Sequence, residues 1–399
     1  MLNSNNRHIV HLDLDSFFVS VERLHNRELI GRPIVIGGNS DRAVVACSSY
    51  EARQFGVRSA MPMKVAKYLC PEIQVISGDF DAYTRYSDMV TEAITERAPL
   101  FEKSSIDEFY VELTGMERFF GCYKWAVDFK KTVRKEIGLP ITFGLSVNKT
   151  VAKIATGEVK PDGQLEVETG REREFIAPLS IAKMPMVGKK TNQLLINMGV
   201  RKIATLSEIP VDMMERVFGK NGIILWQRAN GIDNTPVVPY SDAKSMSTER
   251  TFERDTTDIA KLKSILLGMV ERLAFDLRRS RKLTSCVSVK IRYSNFDTHT
   301  VQARVSYTAH DHVLIEKTMG LFDKAYKRRM LLRLVGVKFS HLVPGYDQID
   351  LFDDNDRVIK LYQAIDRIKV RYGANAIRRA SSVKAGHRDT EVTKMFKHK

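Results

Sequence analysis

Three acidic side chains, Asp13, Asp107 and Glu108, are of a type and spacing that could do chemistry together. Residues 7–14 alternate as a strand, with Ile9, His11 and Asp13 on one face and Val10, Leu12 and Leu14 on the other. Asp13 therefore falls at or near a strand end, where a carboxylate can point into a cleft. Asp107 and Glu108 are an adjacent acidic pair between two β-like runs. Carboxylates that converge from distant parts of a chain raise each other's pKa unless a cation lies between them. Such hard oxygen ligands suit Mg²⁺, which keeps several waters and takes further ligands from substrate phosphates. Two such ions, roughly 3.5–4 Å apart, can activate an attacking oxygen and steady a leaving one in phosphoryl transfer. Taken singly, the same acids would serve equally well as a turn, a helix cap or solvated surface.

The elements that must position these acids follow from the pattern around them. Ser16 to Leu24 has helical spacing, with Phe17, Val21 and Leu24 on one stripe and Phe18 off it. Residues 33–80 read as a small α/β piece, with strands over 33–37 and 43–48 and a helix opening near Ser49. A long helix follows from Asp81, then strands over 101–105 and 109–113, and a helix around 125–137. A strand over 141–146 and a helix over 147–157 complete a β-(insert)-α-β-β-α-β-α order, which fits a ferredoxin-like fold interrupted by residues 19–80.

Composition bounds the reading. At 399 residues the chain predicts two to four domains, and its 43% hydrophobic and 28% charged residues are those of an ordinary globular protein. No apolar run approaches a membrane span and the polar, Asn-rich N-terminus is no secretory signal, so the expectation is a cytoplasmic protein with no membrane partner. Cys47, Cys70, Cys122 and Cys286 form no C-x-x-C pair and read as buried free thiols. The net charge of +15 is uneven: residues 244–343 hold 20 basic and 10 acidic residues, residues 344–399 hold 12 and 8, and only +1 is left for residues 1–243. That concentration points to a polyanionic partner.

Four stretches, HLDLDSFFVSVE (11–22), SSYEARQFGVRSAMP (48–62), SSIDEFYVELTG (104–115) and VKPDGQ (159–164), together resemble the Y-family, lesion-bypass DNA polymerases, especially the bacterial DNA polymerase IV branch. The resemblance covers about residues 7–343. It implies an α+β multidomain fold: a ferredoxin-like palm (1–18 and 81–170), small α/β fingers (19–80) and a helical thumb with a helix-hairpin-helix (171–231). A linker (232–243), a β-α-β-β-α-β little finger (244–343) and a tail (344–399) would follow. It implies that Asp13, Asp107 and Glu108 hold two Mg²⁺. It also implies that Phe17, Phe18, Tyr50, Arg53 and Lys160 line the nucleotide, with Phe18 excluding a ribose 2′-hydroxyl by clash. Ala46 and Ser48 would roof the base loosely. Asp15 matches no family ligand and receives no metal role.

Around Gly188 and Lys189, the run Pro185–Thr191 resembles the hairpin whose backbone N–H groups grip a DNA phosphate without reading sequence. Between residues 245 and 339 the expected strands alternate cleanly. Val287, Val289, Ile291 and Tyr293 share one face with Val301, Ala303, Val305 and Tyr307, and Lys290, Arg292 and Arg304 project from the other. An open cationic sheet of this kind suits duplex phosphates. Gln348, Leu351 and Phe352 resemble the QxxLF peptide by which bacterial polymerases dock on the sliding β-clamp. Residues 356–372 read as an amphipathic helix with Val358, Leu361, Ile365 and Ile368 as its apolar stripe. The expected activity is template-directed, low-fidelity addition of dNTPs to primer-template DNA in damage tolerance, by a monomer without proofreading. A palm-type nucleotidyl cyclase or a non-catalytic DNA-binding scaffold are the alternatives.

Overall fold

The computed structural model describes residues 7–116, 121–239, 242–345 and 356–383. The chain divides into two compact units, Met1–Asn39 with Ala43–Ser241, and Ser40–Arg42 with Asp242–Lys399.

In the first unit, strand β1 (Ile9–Leu14) leads into helix α1 (Phe17–His25). An insert follows, built from β2 (Ile34–Ile36), β3 (Cys47–Ser48), β4 (Gln74–Ile76), α2 (Tyr50–Gln54) and α3 (Met63–Leu69), its sheet ordered β3-β2-β4. The strand expected over 43–48 is reduced to its last two residues, because Val44 pairs instead with Pro62. The chain returns through α4 (Phe80–Thr95), β5 (Leu100–Lys103), β6 (Glu108–Glu112), α5 (Cys122–Thr132), β7 (Ile141–Ser146), α6 (Lys149–Glu158) and β8 (Gln164–Glu166). Asp79 and Asn148 start α4 and α6 by accepting hydrogen bonds from the free amides of Ala82 and Val151.

The main sheet runs β5-β6-β1-β7-β8, one strand more than the four that the periodicity predicts. β1 pairs antiparallel with both neighbours and is central. Its even residues, Val10, Leu12 and Leu14, join Phe17, Phe109 and Phe143 in a dry core beneath α1 and α4. Its odd face carries Ile9, His11 and Asp13 toward α6, which approaches β7 so closely that a Cβ on Gly144 would lie 2.4 Å from the Ala152 carbonyl oxygen. Helices α7 (Glu172–Ile176), α8 (Lys189–Asn197), α9 (Ile203–Glu208), α10 (Val211–Phe218) and α11 (Lys220–Ala229) gather around Ile176, Leu195, Ile203 and Leu225, with Val151 and Ile154 of α6 completing that core.

Most of the stretch expected as a linker over 232–243 is strapped to this unit. Val237 is 5% exposed against Ile9 and Tyr110, and the Val238 amide donates to Glu102 at 2.8 Å. Thr150 donates to Asp233 at 2.7 Å. The two prolines hold the segment extended, and its apolar Val237 finds a hydrophobic landing site, so sequence polarity alone misjudges it.

The second unit runs β9 (Ser245–Thr256), α12 (Ile259–Arg279), β10 (Lys282–Tyr293), β11 (Thr298–Thr308), α13 (Asp311–Ala325) and β12 (Leu332–Pro344). Its antiparallel sheet is ordered β11-β10-β12-β9, with Val287, Val289 and Ile291 fully buried beneath the helices. Tyr307, expected under the helices, is 50% exposed. The register slips between Cys286↔Arg304 and Thr284↔Thr308, which gives β11 extra residues there and turns Tyr307 outward.

Helices α14 (Asp356–Tyr372) and α15 (Ala380–Val383) belong to the same unit. The helix expected over 356–372 is present, but only half of its apolar stripe faces inward: Val358 and Ile365 are partly buried beside the buried Tyr362 and Lys369, whereas Leu361 is 57% and Ile368 39% exposed. The docked face is held by charge. Arg278 of α12 donates two hydrogen bonds to Asp366, at 2.7 and 2.9 Å, and one to Asp311 at 2.6 Å. Its guanidinium also lies 4.8 Å over the Tyr362 ring. Among the described residues no helix is long and apolar enough to cross a membrane.

Candidate active site

Strand register brings two of the three acids together. Asp13 is the cross-strand partner of Glu108, and the Leu14 amide donates to the Asp107 carbonyl oxygen at 3.0 Å, which fixes the hairpin containing the acidic pair beside the end of β1. Ser105 holds that hairpin in place. Its hydroxyl donates to the Asp107 carboxylate at 2.6 Å and accepts from the Glu108 amide at 3.1 Å. Asp13 and Asp107 line a cleft of about 160 Å³ together with Phe18, Ala46, Arg53 and Lys160, among others.

Burial raises the Asp13 pKa, and Glu108 and Asp107 add to the rise, so that its carboxyl is pushed up to about 7 even though Lys160 pulls it down. Burial also raises Asp107, against the stabilising hydrogen bond from Ser105. Lysines take up the acids' charge: Lys160 pairs with Asp13, and Lys153 of α6 donates to both oxygens of Glu108 at 2.6 Å. Among the described residues no three acidic, histidine or cysteine side chains close a metal cage by themselves. The donor set nevertheless fits a hard divalent cation. It offers carboxylates at one sheet end, with elevated proton affinity at Asp13 and Asp107, and lysine counter-ions that a metal could displace.

Phe18 is half-buried at the cleft wall, stacked on Tyr83 at 4.3 Å and edge-on to Phe80 at 5.4 Å. Tyr83 is in turn fixed by donating to Glu22 at 2.5 Å. Phe17 also lines the cleft, although its side chain is packed in the core and only 2% exposed. Tyr50 and Arg53 share α2, with the guanidinium 4.4 Å over the phenol ring. The Tyr50 hydroxyl donates to Asp15 at 3.1 Å. Lys160 enters the cleft from a turn whose Gly163 cannot be replaced, since a Cβ there would sit 1.9 Å from the Val159 carbonyl oxygen. Ala46 lines the cleft, but Ser48 is fully buried, its hydroxyl accepting from Arg53 at 3.4 Å, and forms no roof.

The other candidate residues lie elsewhere. Gly188 is the N-cap of α8 and, like Lys189, is exposed. The element before that turn is a single 3₁₀ turn, Ile181–Lys183. In the second unit, Lys290 pairs with Glu249 at 2.9 Å, Arg292 donates to Thr298 at 2.9 Å and Arg304 is exposed. Gln348, Leu351 and Phe352 lie outside the described residues. Sequence reasoning missed Lys153, Ser105 and Tyr83 as working parts of the site. Ser105 stands two residues from Asp107 and could have been found as a local turn donor. Lys153 and Tyr83 meet their partners only through the fold.

The chain matches the model of the impB/mucB/samB family over residues 12–157 and that of the same family's C-terminal domain over residues 243–351. It is 36% identical over 378 residues to a DNA polymerase IV of Dehalococcoides mccartyi, covering 93% of this chain and 96% of the relative. A DNA polymerase IV of Desulfatibacillum aliphaticivorans is 35% identical over 382 residues, covering 94% and 96%. One from Treponema denticola is 33% identical over 380 residues, again covering 94% and 96%. Among solved structures, a Y-family DNA polymerase chimera superposes with a TM-score of 0.74 at 23% identity, over 84% of this chain and 99% of that one.

Proposed function

Since the chain belongs to the impB/mucB/samB family, the Y-family DNA polymerases of the DNA polymerase IV type, we propose that it extends a primer on a DNA template with dNTPs, as a translesion polymerase. The observation that supports this best is the junction of β1 and β6. There Asp13 and Glu108 stand side by side, and Asp107 is tied to the same strand end, beside a cleft that also holds Arg53, Lys160 and Phe18. In this reading residues 1–18 and 81–170 form the palm, residues 19–80 the fingers, residues 171–231 the thumb and residues 244–343 the little finger.

Asp13, Asp107 and Glu108 are assigned to hold two Mg²⁺ ions. Bound there, such ions lower the pKa of the primer 3′-hydroxyl and neutralise the departing pyrophosphate. The chain's own residues do the rest. Ser105 fixes the Asp107 carboxylate, and Lys153 and Lys160 balance the acids' charge until metal and triphosphate arrive. Tyr50, Arg53 and Lys160 then steady the triphosphate, Arg53 by presenting a planar fork of donors. Phe18 is backed by Tyr83 and Phe80, so its ring cannot swing aside, and a 2′-hydroxyl would meet it.

Gly188 and Lys189 on the first unit, with Lys290, Arg292 and Arg304 on the second, are proposed to hold DNA phosphates. The pairing of Lys290 with Glu249 leaves the two arginines as the stronger contacts. Gln348, Leu351 and Phe352 are proposed to dock on a sliding β-clamp, with the polymerase acting as a monomer. A non-catalytic scaffold would not need the carboxylates raised in pKa at one sheet end.

Primer extension with Mg²⁺ and single dNTPs or rNTPs tests the reading. Wild type should add dNTPs, Asp107→Ala/Glu108→Ala should bind primer-template yet add none, and Phe18→Ala should begin to accept rNTPs. A wild type that binds the primer-template and never extends it would overturn the proposal.

A further inference from the structure

Asp15 is left without a role by the metal-site reading, although it is the most deeply placed acid at the cleft: it is 2% exposed. An acidic side chain is almost never so fully buried unless it is paired or fully hydrogen-bonded. Its partners come from three separate parts of the site: α2, β7 and the turn over 160–163. Oδ1 accepts from the Tyr50 hydroxyl at 3.1 Å. Oδ2 accepts from the Thr142 hydroxyl on β7 at 2.7 Å and from the Asp162 backbone amide at 2.8 Å. Lys160 Nζ lies 3.8 Å from Oδ1. The backbone is arranged around these contacts, because Ser16 after Asp15 and Asp162 in the turn are both left-handed, at φ 42° and 53°.

We propose that Asp15 is the positioning residue of the triphosphate subsite, joining the fingers side chain Tyr50 to the turn that carries Lys160 through one buried carboxylate. The inference rests on the polymerase reading. Tyr50 and Lys160 are 110 residues apart in sequence, and a nucleotide is gripped only when both stand at the right distance. Asp15 sets that distance from the palm side. Thr142 fixes the carboxylate to β7, Asp162 fixes the turn to the carboxylate, and the remaining oxygen orients the Tyr50 hydroxyl. Asp15 therefore touches no reacting atom and acts through Tyr50 and Lys160.

The proposal separates substrate grip from chemistry and from DNA binding. With wild-type extension established first, KM for dNTP, kcat and primer-template Kd (by fluorescence anisotropy) are compared for Asp15→Ala, Asp15→Asn, Tyr50→Phe and Asp15→Ala/Tyr50→Phe. Asp15→Ala should raise KM about tenfold, the weight of one hydrogen bond, with kcat and DNA Kd within about twofold. Asp15→Asn should recover most of that deficit. Its carboxamide oxygen can still accept from Thr142 and Asp162, and its NH₂ can donate to a reversed Tyr50 hydroxyl. The double variant should be no worse than about the weaker-binding single variant, because the two residues act as one unit.

If Asp15→Ala does not fold, Asp15→Glu carries the same test, since it keeps the charge and displaces the carboxylate by one methylene. Effects of Asp15 and Tyr50 that multiply, a KM unchanged by both Asp15→Ala and Asp15→Glu, or parallel losses in kcat and DNA affinity would each overturn the inference. A wild type without extension activity would instead remove the polymerase reading on which it rests.

Discussion

A carboxyl held near pH 7 in the folded chain makes stability and cation binding pull in opposite directions at Asp13. Its ordinary value is 3.8 and burial pushes it up to about 7, so between those values the native state binds more protons than the unfolded one. Stability then falls as pH rises through that window, and at pH 8 the metal-free protein bears the full cost of a buried carboxylate. In EDTA, Asp13→Asn should therefore raise the melting temperature relative to wild type at pH 8 and change it much less at pH 5. Added Mg²⁺ should raise the pH 8 melting temperature of wild type and leave Asp13→Asn nearly unmoved. Melts at the two pH values, with and without Mg²⁺, check both signs, and a variant less stable than wild type at pH 8 in EDTA would count against them. The same competition makes apparent Mg²⁺ affinity increase with pH up to about 7. Phe18 gives the other prediction at this scale. Its ring is clamped between Tyr83 and Phe80, so truncation opens real space, and Phe18→Ala should lower the preference for dNTP over rNTP in single-turnover extension by on the order of tenfold or more.

Among the elements, α14 shows most plainly what pairing can do that periodicity cannot foretell. Of the stripe Val358, Leu361, Ile365 and Ile368, only Val358 and Ile365 face inward, because Arg278 needs Asp366 and Asp311 to be buried at all and turns the helix to bring Asp366 to it. Leaving a buried guanidinium short of a partner costs more than exposing two aliphatic side chains. Burial lowers the proton affinity of Arg278, but the two aspartates more than reverse this and hold it above the ordinary value. Asp366→Asn should destabilise the docking of residues 356–383 by about 1–3 kcal/mol. Faster hydrogen exchange in α14, with the main sheet unchanged, is the expected signature, and protection equal to wild type would refute it. The strands and the larger helices were legible because alternation and caps are local signals, as the alternating exposure of Val301 to Val305 in β11 illustrates. That Asp13, Asp107 and Glu108 meet at one sheet end was readable only with the family resemblance, because each acid alone suits a turn or a cap equally well. The lysine that pairs with Glu108 was not legible, since it lies 45 residues away and is aligned by packing of α6. The strap over 232–239 was hidden for a similar reason, its Val237 being apolar in a sequence otherwise typical of a linker.

Across the whole molecule the charge is distributed by module, and this bears on how firmly DNA is held. The first 243 residues carry almost no net charge and residues 244–343 carry +10, so grip on the phosphate backbone should come mainly from the second unit and weaken steeply with salt. Not every basic residue on its sheet is free to contribute. Lys290 is committed to Glu249, whereas Arg292 donates to the uncharged Thr298 hydroxyl, and Arg304 is exposed. Removing one cation from the phosphate backbone should reduce the slope of log K against log salt by about 0.9. Arg292→Ala/Arg304→Ala should therefore flatten that slope by about 1.8 and weaken primer-template binding, while kcat at saturating DNA stays close to wild type. Glu249→Gln should act in the opposite sense, releasing Lys290 to the DNA and steepening the slope by up to about 0.9. Fluorescence anisotropy over a salt series measures both variants. Equal slopes for wild type, the arginine variant and Glu249→Gln would mean that the open sheet does not carry the DNA, and the phosphate grip would then have to be sought at the exposed N-terminus of α8, beside Gly188 and Lys189.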